Sequence, residues 1–504
     1  MQECCVRRLG PVLAGLVLTA AILALYAPAL GFTLIGDDYQ WLQLAHRAMH
    51  RPALLLADLD TFYRPLSTWT LVIDRLVAGH HAVGYYLTNL LLHSAAGIGL
   101  AVAARRLGLG SPFAWAAALL WATSPFTEEP AVAVAIRFED LLMLAWLALI
   151  VVWPRQGESW SRRRALGVVG AVVAAALSKE TWVVTPALVA ALELGQHRAG
   201  PRQAARSVAA ASAAVLAYVA VYFSVFPGDK SYYRASLALL AKVPNQLAAF
   251  LNLEGLVPVL FPFTWRGALA LVVTAGIVAL AVRKAPAAAA VGTVLLFAPT
   301  VPTLLVPYMP TRYTSIPYGG FVLLAAALVE AGVAGTPRRW RWAIATAGAG
   351  VALLVLAAGA VTVRADLVDG GRFSAAHSRL LREAEAVAPA FPLDRPVLVV
   401  REETDNPARD IVTSPHGLPK LIFVRGSDPD GLIDAPALFE WVIDREDVRV
   451  VGCGDPEMRF TGRPGAVLAH RPDGFVWLAR GAPDIAAVAR SARLAGLIPV
   501  LHQR

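Results

Sequence analysis

Charge is what this sequence lacks. Only 16% of its 504 residues are Asp, Glu, Lys or Arg, where a soluble chain carries about 25%. With 57% of residues in the hydrophobic set, so few charges cannot cover the surface of a globule. Cysteine is scarce too. Cys4 and Cys5 precede the first apolar run and Cys453 lies by itself in the tail, so no disulfide framework is visible. There is no internal repeat and no low-complexity tract apart from alanine-rich apolar segments. What is present instead is a series of apolar runs that recurs from the N-terminus to about Val363. Each is about twenty residues, enough to cross about 30 Å of hydrocarbon as a helix. Buried helices of a large soluble protein would explain one such run but not ten.

The formal net charge is +9. In a soluble protein that would raise the question of nucleic acid, but here the basic residues cluster in short loops between apolar runs. That is the positive-inside pattern, which speaks to topology and not to a nucleic-acid partner. The first run, about 10–32, follows Arg7 and Arg8 and resembles a signal peptide in layout. It is long and lacks a small-x-small cleavage site before Gly36, so it reads as a retained span.

Loops then alternate. The first span delivers Gly36-Asp37-Asp38-Tyr39 to the outer face, and a surface-lying loop of about 45 residues follows, amphipathic over 39–56. Spans at about 82–104, 112–127, 138–153, 165–178 and 181–195 place Arg105-Arg106, Arg155 with Arg162-Arg163-Arg164, and His197-Arg198 inside. They place Glu128-Glu129 and Lys179-Glu180 outside. A seventh span, about 207–226, exits to a polar loop. Working back from Arg338, Arg339 and Arg341 inside, segment 244–264 does not make one simple crossing. Its Pro244, Asn245, Asn252, Glu254, Pro258 and Pro262 suit a re-entrant or interfacial segment. Spans at about 267–283, 286–305, 315–333 and 341–363 complete eleven crossings.

From about Ala365 the composition changes to frequent Asp, Glu, Arg and Pro. Segments 396–400, 420–424, 448–451 and 474–478 read as buried strands, and 437–444 and 482–495 as helices. The expected fold class is a polytopic α-helical membrane protein of about eleven spans plus one re-entrant segment. Its multi-span domain is 1–364, and a small soluble α/β domain, 365–504, stands on the outer side. The N-terminus is cytoplasmic on this reading and the membrane is the inner (plasma) membrane.

Ionisable residues near the membrane interface need a reason, and here they gather at the outer ends of spans. Asp37-Asp38 is a pair of adjacent carboxylates that can share a proton or a cation, or serve as a general base with its neighbour's help; a solvated pair marking the membrane edge reads equally well. Tyr63-Arg64-Pro65-Leu66 lies in the same loop. Asn89 and His93, four apart, share one face of the second span, where a histidine also serves for packing. Glu128 and Glu129 follow a break at Ser124-Pro125, with Arg137 and Asp140 beyond. Lys179-Glu180 occupies the next outer turn, as a functional pair or an ordinary interfacial one. Arg312-Tyr313 closes the set ahead of Pro317-Tyr318-Gly319. An arginine there, with Lys179 or Arg137 near it, suits a phosphate leaving group at headgroup level, though arginines also snorkel to headgroups.

In this order the motifs resemble the GT-C superfamily of integral membrane glycosyltransferases. They are most similar to the mannosyltransferase family with transmembrane and tetratricopeptide regions and its bacterial relatives. The family's first-loop Asp-Asp is matched by Asp37-Asp38, and its aromatic-Arg-Pro-Leu element by Tyr63 to Leu66. Its Thr-Asn-x-x-x-His element is matched by Thr88, Asn89 and His93. Pro125, Glu129, Arg137 and Asp140 match a His-Pro-x-x-x-Glu element leading to Arg-x-x-Asp. Lys179-Glu180 and Arg312-Tyr313 complete the set. The resemblance covers about residues 10–335 and rests on order and placement. Ser124 stands where the family often has histidine, and no tetratricopeptide array follows the spans.

The resemblance implies transfer of a sugar from a polyprenyl-phosphate donor to an acceptor glycan, lipid or protein on the extracytoplasmic face, with inversion at the anomeric carbon. It makes Asp37 the general base and Asp38 its support, or a ligand if a divalent cation is used; no cofactor is otherwise implied. Glu129 and Asp140 would hold sugar or acceptor hydroxyls. Lys179 and Arg312 would neutralise the departing phosphate. Other readings are a ligase using a lipid-diphosphate donor, a transporter or lipid-linked glycan flippase, and a scaffold anchored by its spans. A transporter calls for polar groups near the midplane and often for repeats, and eleven spans are more than an anchor needs.

Overall fold

The computed structural model describes residues 2–35, 37–56, 62–155, 157–197, 201–225, 240–251, 264–305 and 311–387, and four strands between Val397 and Arg480. The helices in chain order are α1 (Gln2–Tyr26), α2 (Asp38–His50), α3 (Pro65–Ala78), α4 (Ala82–Arg106) and α5 (Ser111–Ala122). Then come α6 (Glu128–Val132), α7 (Phe138–Val152), α8 (Arg162–Ser178), α9 (Thr185–Leu192), α10 (Pro201–Val225) and α11 (Lys242–Phe250). The series ends with α12 (Trp265–Lys284), α13 (Pro286–Phe297), α14 (Thr300–Thr303), α15 (Ser315–Gly335) and α16 (Arg338–Val387).

Seven helical stretches among the described residues are long and apolar enough to cross a membrane: Gly10–Gly31, Ala82–Arg106, Pro201–Val225, Trp265–Lys284, Pro286–Thr303, Thr311–Gly335 and Arg338–Arg379. Their outward faces carry Leu13, Leu16, Leu216, Phe223, Val272, Leu353 and Leu354, all well exposed. Exposed apolar side chains along helices of this length and composition suit a lipid surround. The expected spans near 112–127, 138–153, 165–178 and 181–195 are also helical, but shorter. They hold 12, 15 and 17 residues in α5, α7 and α8. The fourth is a five-residue turn, Glu180–Val184, followed by the eight residues of α9. The structure thus shows seven full-length candidates where the hydropathy reading expects eleven. Pro112 and Pro186 sit in the first turns of α5 and α9, where a missing N–H costs nothing. Of segment 244–264, the first part falls in the nine-residue α11, too short to cross. Residues 252–263 lie outside the described ones.

The chain divides into two compact units. The first holds Met1–Gly31 and Leu55–Val368. Its core is built where α4, α5, α7 and α15 pack together, with Trp121, Trp146, Tyr85, Tyr86 and Phe138 fully buried. The Trp121 indole donates to the Ser315 carbonyl (2.8 Å), tying α5 to the start of α15. Helices α13 and α15 approach through glycine. A Cβ at Gly320 would stand 2.4 Å from the Leu296 nitrogen and 2.5 Å from the Gly292 oxygen. That close backbone approach is the small-residue packing typical of helices in lipid.

The second unit holds Phe32–Leu54 and the described residues from Asp369 on. It contains α2 and a four-stranded sheet, β1 (Val397–Arg401), β2 (Val450–Gly452), β3 (Ala466–Arg471) and β4 (Gly474–Arg480), in the order β2-β1-β3-β4. β1 runs parallel to β2 and β3, and β3 pairs antiparallel with β4. Three expected strands fall on β1, β2 and β4. The expected strand at 420–424 and the helices at 437–444 and 482–495 lie outside the described residues.

Candidate active site

The polar residues of the first unit form buried pairs, each joining different helices. Arg137, at the start of α7, is fully buried. Its Nη1 donates to Asp74 Oδ2 of α3 (2.6 Å) and its Nη2 to the Tyr85 carbonyl of α4 (3.3 Å). The Thr88 hydroxyl donates to the other oxygen of Asp74 (2.6 Å). This corner fixes where α7 begins, and so where its first residues, Phe138, Glu139 and Asp140, are presented.

Asp140 faces His93 of α4, with Nδ1 3.1 Å from Oδ2. The other ring nitrogen, Nε2, stands 3.1 Å from the Ala122 carbonyl. A carbonyl can only accept, so the contact at Nε2 is one in which the imidazole donates. The imidazole also stacks on Trp121 (centroids 4.7 Å apart). One turn away, Asn89 donates to the Ala133 carbonyl (2.8 Å). Asn89 and His93 therefore do share a helix face, one holding the loop after α6 and the other holding α7.

Three further cations gather around two aromatic rings. The Arg64 guanidinium lies 3.7 Å over Phe138 and 4.3 Å from Phe62. The Lys179 ammonium is 5.6 Å from the Phe138 centroid and 4.6 Å from that of Tyr313. Arg312 stands 5.5 Å from the same Tyr313 ring. Cations over the faces of aromatic rings are attracted by the ring quadrupole, and two of these share each ring.

Each of these cations also meets a carboxylate. Arg64 donates through Nη2 to Glu180 Oε2 (3.0 Å) and through Nε to Oε1 (3.2 Å), while the Tyr63 N–H reaches Oε1 (3.1 Å). Arg312 donates through its backbone N–H to Glu129 Oε2 (2.6 Å) and through Nη1 to Oε1 (2.9 Å). Lys179 is paired with Glu139. The adjacent Lys179 and Glu180 are thus held by different partners. Glu128, beside Glu129 in α6, is buried as well. Ser124 accepts from the Phe126 N–H (3.2 Å) and caps the turn before α6.

Asp37 and Asp38 belong to the second unit and open α2. They are not equivalent. Asp38 is buried and accepts from the Ile35 N–H (3.0 Å), whereas Asp37 is half-buried with helical backbone angles. Both sit where the partial positive charge of a helix N-terminus favours carboxylate. Burial, and then the Asp38 charge, push the Tyr39 phenol well above its usual range, so it stays protonated.

Of the residues expected from sequence, Tyr63, Arg64, Lys179, Glu180, Glu129, Arg312 and Tyr313 are brought together with Phe138 and Glu139. His93 and Asp140 join α4 to α7, Arg137 joins α7 to α3, and Asn89 holds the loop after α6. Asp74, Phe138 and Glu139 are absent from the sequence-based set. Asp74 had a signal, as a lone carboxylate in the otherwise apolar stretch Trp69-Thr70-Leu71-Val72-Ile73-Asp74. Among the described residues no group of three or more His, Cys, Asp or Glu side chains is arranged to hold a metal ion.

No family model matches the chain, and no curated protein matches it. Among solved structures it is similar to the crystal structure of ArnT from Cupriavidus metallidurans bound to undecaprenyl phosphate. That match has 16% identity and a TM-score of 0.48, covering 91% of this chain and 93% of that one. The apo state of the same protein matches at 14% identity and a TM-score of 0.46, covering 87% and 85%. At such values the chemistry must come from this chain's own side chains.

Proposed function

We propose that this chain is an integral membrane glycosyltransferase of the GT-C kind, which moves a sugar from a polyprenyl-phosphate-linked donor to an acceptor on the extracytoplasmic face. The observation that carries the reading is the group of Arg64, Lys179 and Arg312 around Phe138 and Tyr313 in a helical membrane protein. Three cations held by carboxylates at one place are costly to desolvate, even as ion pairs. An anionic headgroup attached to an apolar tail is the substrate that makes such a cost useful.

In this mechanism Asp37 takes the proton of the acceptor hydroxyl. Asp38, held by the Ile35 N–H, steadies the turn at the start of α2. The acceptor oxygen attacks the anomeric carbon as the bond from that carbon to the phosphate oxygen breaks. The electron pair leaves with the polyprenyl phosphate, whose growing charge is met by Lys179, Arg312 and Arg64. A single displacement inverts the anomeric configuration. Glu129 orients Arg312 and Glu180 orients Arg64 through their ion pairs, while Asp140 holds His93. A resident divalent cation is not required by these steps.

The topology that goes with this reading has eleven crossings, with the N-terminus in the cytoplasm. The domain from about Ala365, α/β in character, stands on the extracytoplasmic side. Deletion of the gene tests the function. Lipid-linked sugar should accumulate, or a surface glycan be lost, and the wild-type chain should restore the pattern where Asp37→Asn does not. Full rescue by correctly inserted Asp37→Asn and Asp38→Asn variants would remove the aspartates from the mechanism. Loss of lipid translocation without loss of transfer would point to a flippase.

A further inference from the structure

Around Phe138 and Tyr313 three cations are already neutralised by three carboxylates: Arg64 by Glu180, Lys179 by Glu139 and Arg312 by Glu129. All three cations are buried, and so are Glu139 and Glu129. A phosphodiester donor brings one further negative charge, and the phosphomonoester product about 1.5–2. Added to these described pairs, that charge competes with the resident carboxylates for their cations. One resident carboxylate must give up its cation for the phosphate to be held.

The three pairs differ in how firmly they are built. Glu129 has each oxygen on Arg312, one at the backbone N–H and one at the guanidinium. Glu180 is gripped by two nitrogens of Arg64 and by the Tyr63 N–H. Both are multidentate, with backbone donors that cannot move far. Lys179 meets a single oxygen of Glu139. An ammonium on a flexible four-carbon stem has no fork geometry to lose and can turn its donors to another anion.

We infer that Glu139 is a resident stand-in for the lipid phosphate, holding Lys179 in the empty enzyme and surrendering it when the phosphate arrives. No covalent bond changes at Glu139; the ammonium exchanges one anionic oxygen for another. Glu139 is therefore a positioning residue. Its competition with the phosphate weakens the hold on the departed polyprenyl phosphate and frees the site for the next donor. The inference rests on the reading of the site as one that takes a polyprenyl-phosphate-linked sugar.

The test is binding of geranyl phosphate to the full chain in detergent, measured by titration calorimetry, with inorganic phosphate as a second arm. Glu139→Gln should bind geranyl phosphate tighter by a factor on the order of ten or more, and Lys179→Gln should bind it more weakly than wild type. In turnover assays Glu139→Gln should lower KM for the donor and lower kcat with it, because product leaves slowly. A merely structural role would lower kcat without tightening product binding. Equal or weaker binding by a folded Glu139→Gln protein overturns the inference while leaving the functional reading intact. Should that variant not fold, Glu139→Asp, whose shorter carboxylate holds Lys179 less firmly, decides in the same way with a smaller gain. If wild type and every variant bind neither ligand, the reading of the site falls and the inference falls with it. Equal gains for inorganic and geranyl phosphate support the role of Glu139 but overturn the lipid as the ligand recognised.

Discussion

Removing the Asp74 carboxylate takes the paired anion from a guanidinium that the fold has buried completely. Arg137 is fully buried, and its Nη1 donates to Asp74 Oδ2 at 2.6 Å. Breaking such a pair from one side costs about 3–5 kcal/mol, because the surviving charge is left without compensation. Asp74→Ala also strands the Thr88 hydroxyl, which donates to the same carboxylate, adding about 1 kcal/mol. Equilibrium unfolding in mixed micelles should therefore place Asp74→Ala about 4–6 kcal/mol below wild type. The double replacement Asp74→Leu with Arg137→Met should recover most of that loss, since no charge remains to be desolvated. Sugar transfer should stay low in the double variant, because the guanidinium that fixes the start of α7 is gone and Phe138, Glu139 and Asp140 lose their placement. Two results would refute this reasoning. One is an Asp74→Ala protein within about 0.5 kcal/mol of wild type, the range of an ordinary surface change. The other is a double variant as unstable as the sum of its singles.

Gly320→Ala should destabilise the protein by about 1–3 kcal/mol, because the added Cβ would meet the backbone of α13 at 2.4 Å; a melting curve in detergent checks it. Glu158, in the loop between α7 and α8, is held down to about 2 by the Arg106 side chain and then by the Arg155 N–H. Its carboxylate pKa is depressed on folding, so the stabilisation is fully present above the unfolded value of 4.5 and is lost as pH falls toward about 2. The unfolding midpoint of wild type should exceed that of Glu158→Gln at neutral pH, and the two should converge across that window. Asp37→Asn should lower kcat by about 100-fold to 10,000-fold with an unchanged melting temperature. Asp38→Asn should lower the melting temperature as well, since its carboxylate receives a buried backbone N–H.

Hydropathy located the helices well, and the reason is physical. A twenty-residue apolar run has few alternatives to a helix once it is placed in lipid. It says less about length, which is why α5, α7 and α8 were expected as spans and prove shorter than the seven full-length helices. The motifs expected at the outer ends carried the types of residue that gather around Phe138 and Tyr313 but not their partners. Lys179 and Glu180, adjacent in sequence, pair with Glu139 and Arg64. Glu129 joins Arg312 from 183 positions away. Such pairings are set when α6, α7 and the turn before α15 meet, which no local spacing encodes. Asp74 was readable as a charge out of place in an apolar helix, although its partner Arg137, 63 positions on, was not. Glu139 was hidden for another reason. Standing between Arg137, Phe138 and Asp140, it reads as one more charge at the end of a span until its contact with Lys179 is seen.

The central claim is chemical and can be tested in one vessel. Purified protein in detergent is given a polyprenyl-phosphate-linked sugar and an extract of envelope glycolipids, and free polyprenyl phosphate and labelled acceptor are followed together. Polyprenyl phosphate and glycosylated acceptor should rise in equal amounts with inverted linkage, and Lys179→Gln should abolish both. Intact donor after prolonged incubation, together with donor movement across the bilayer in proteoliposomes, would contradict the account.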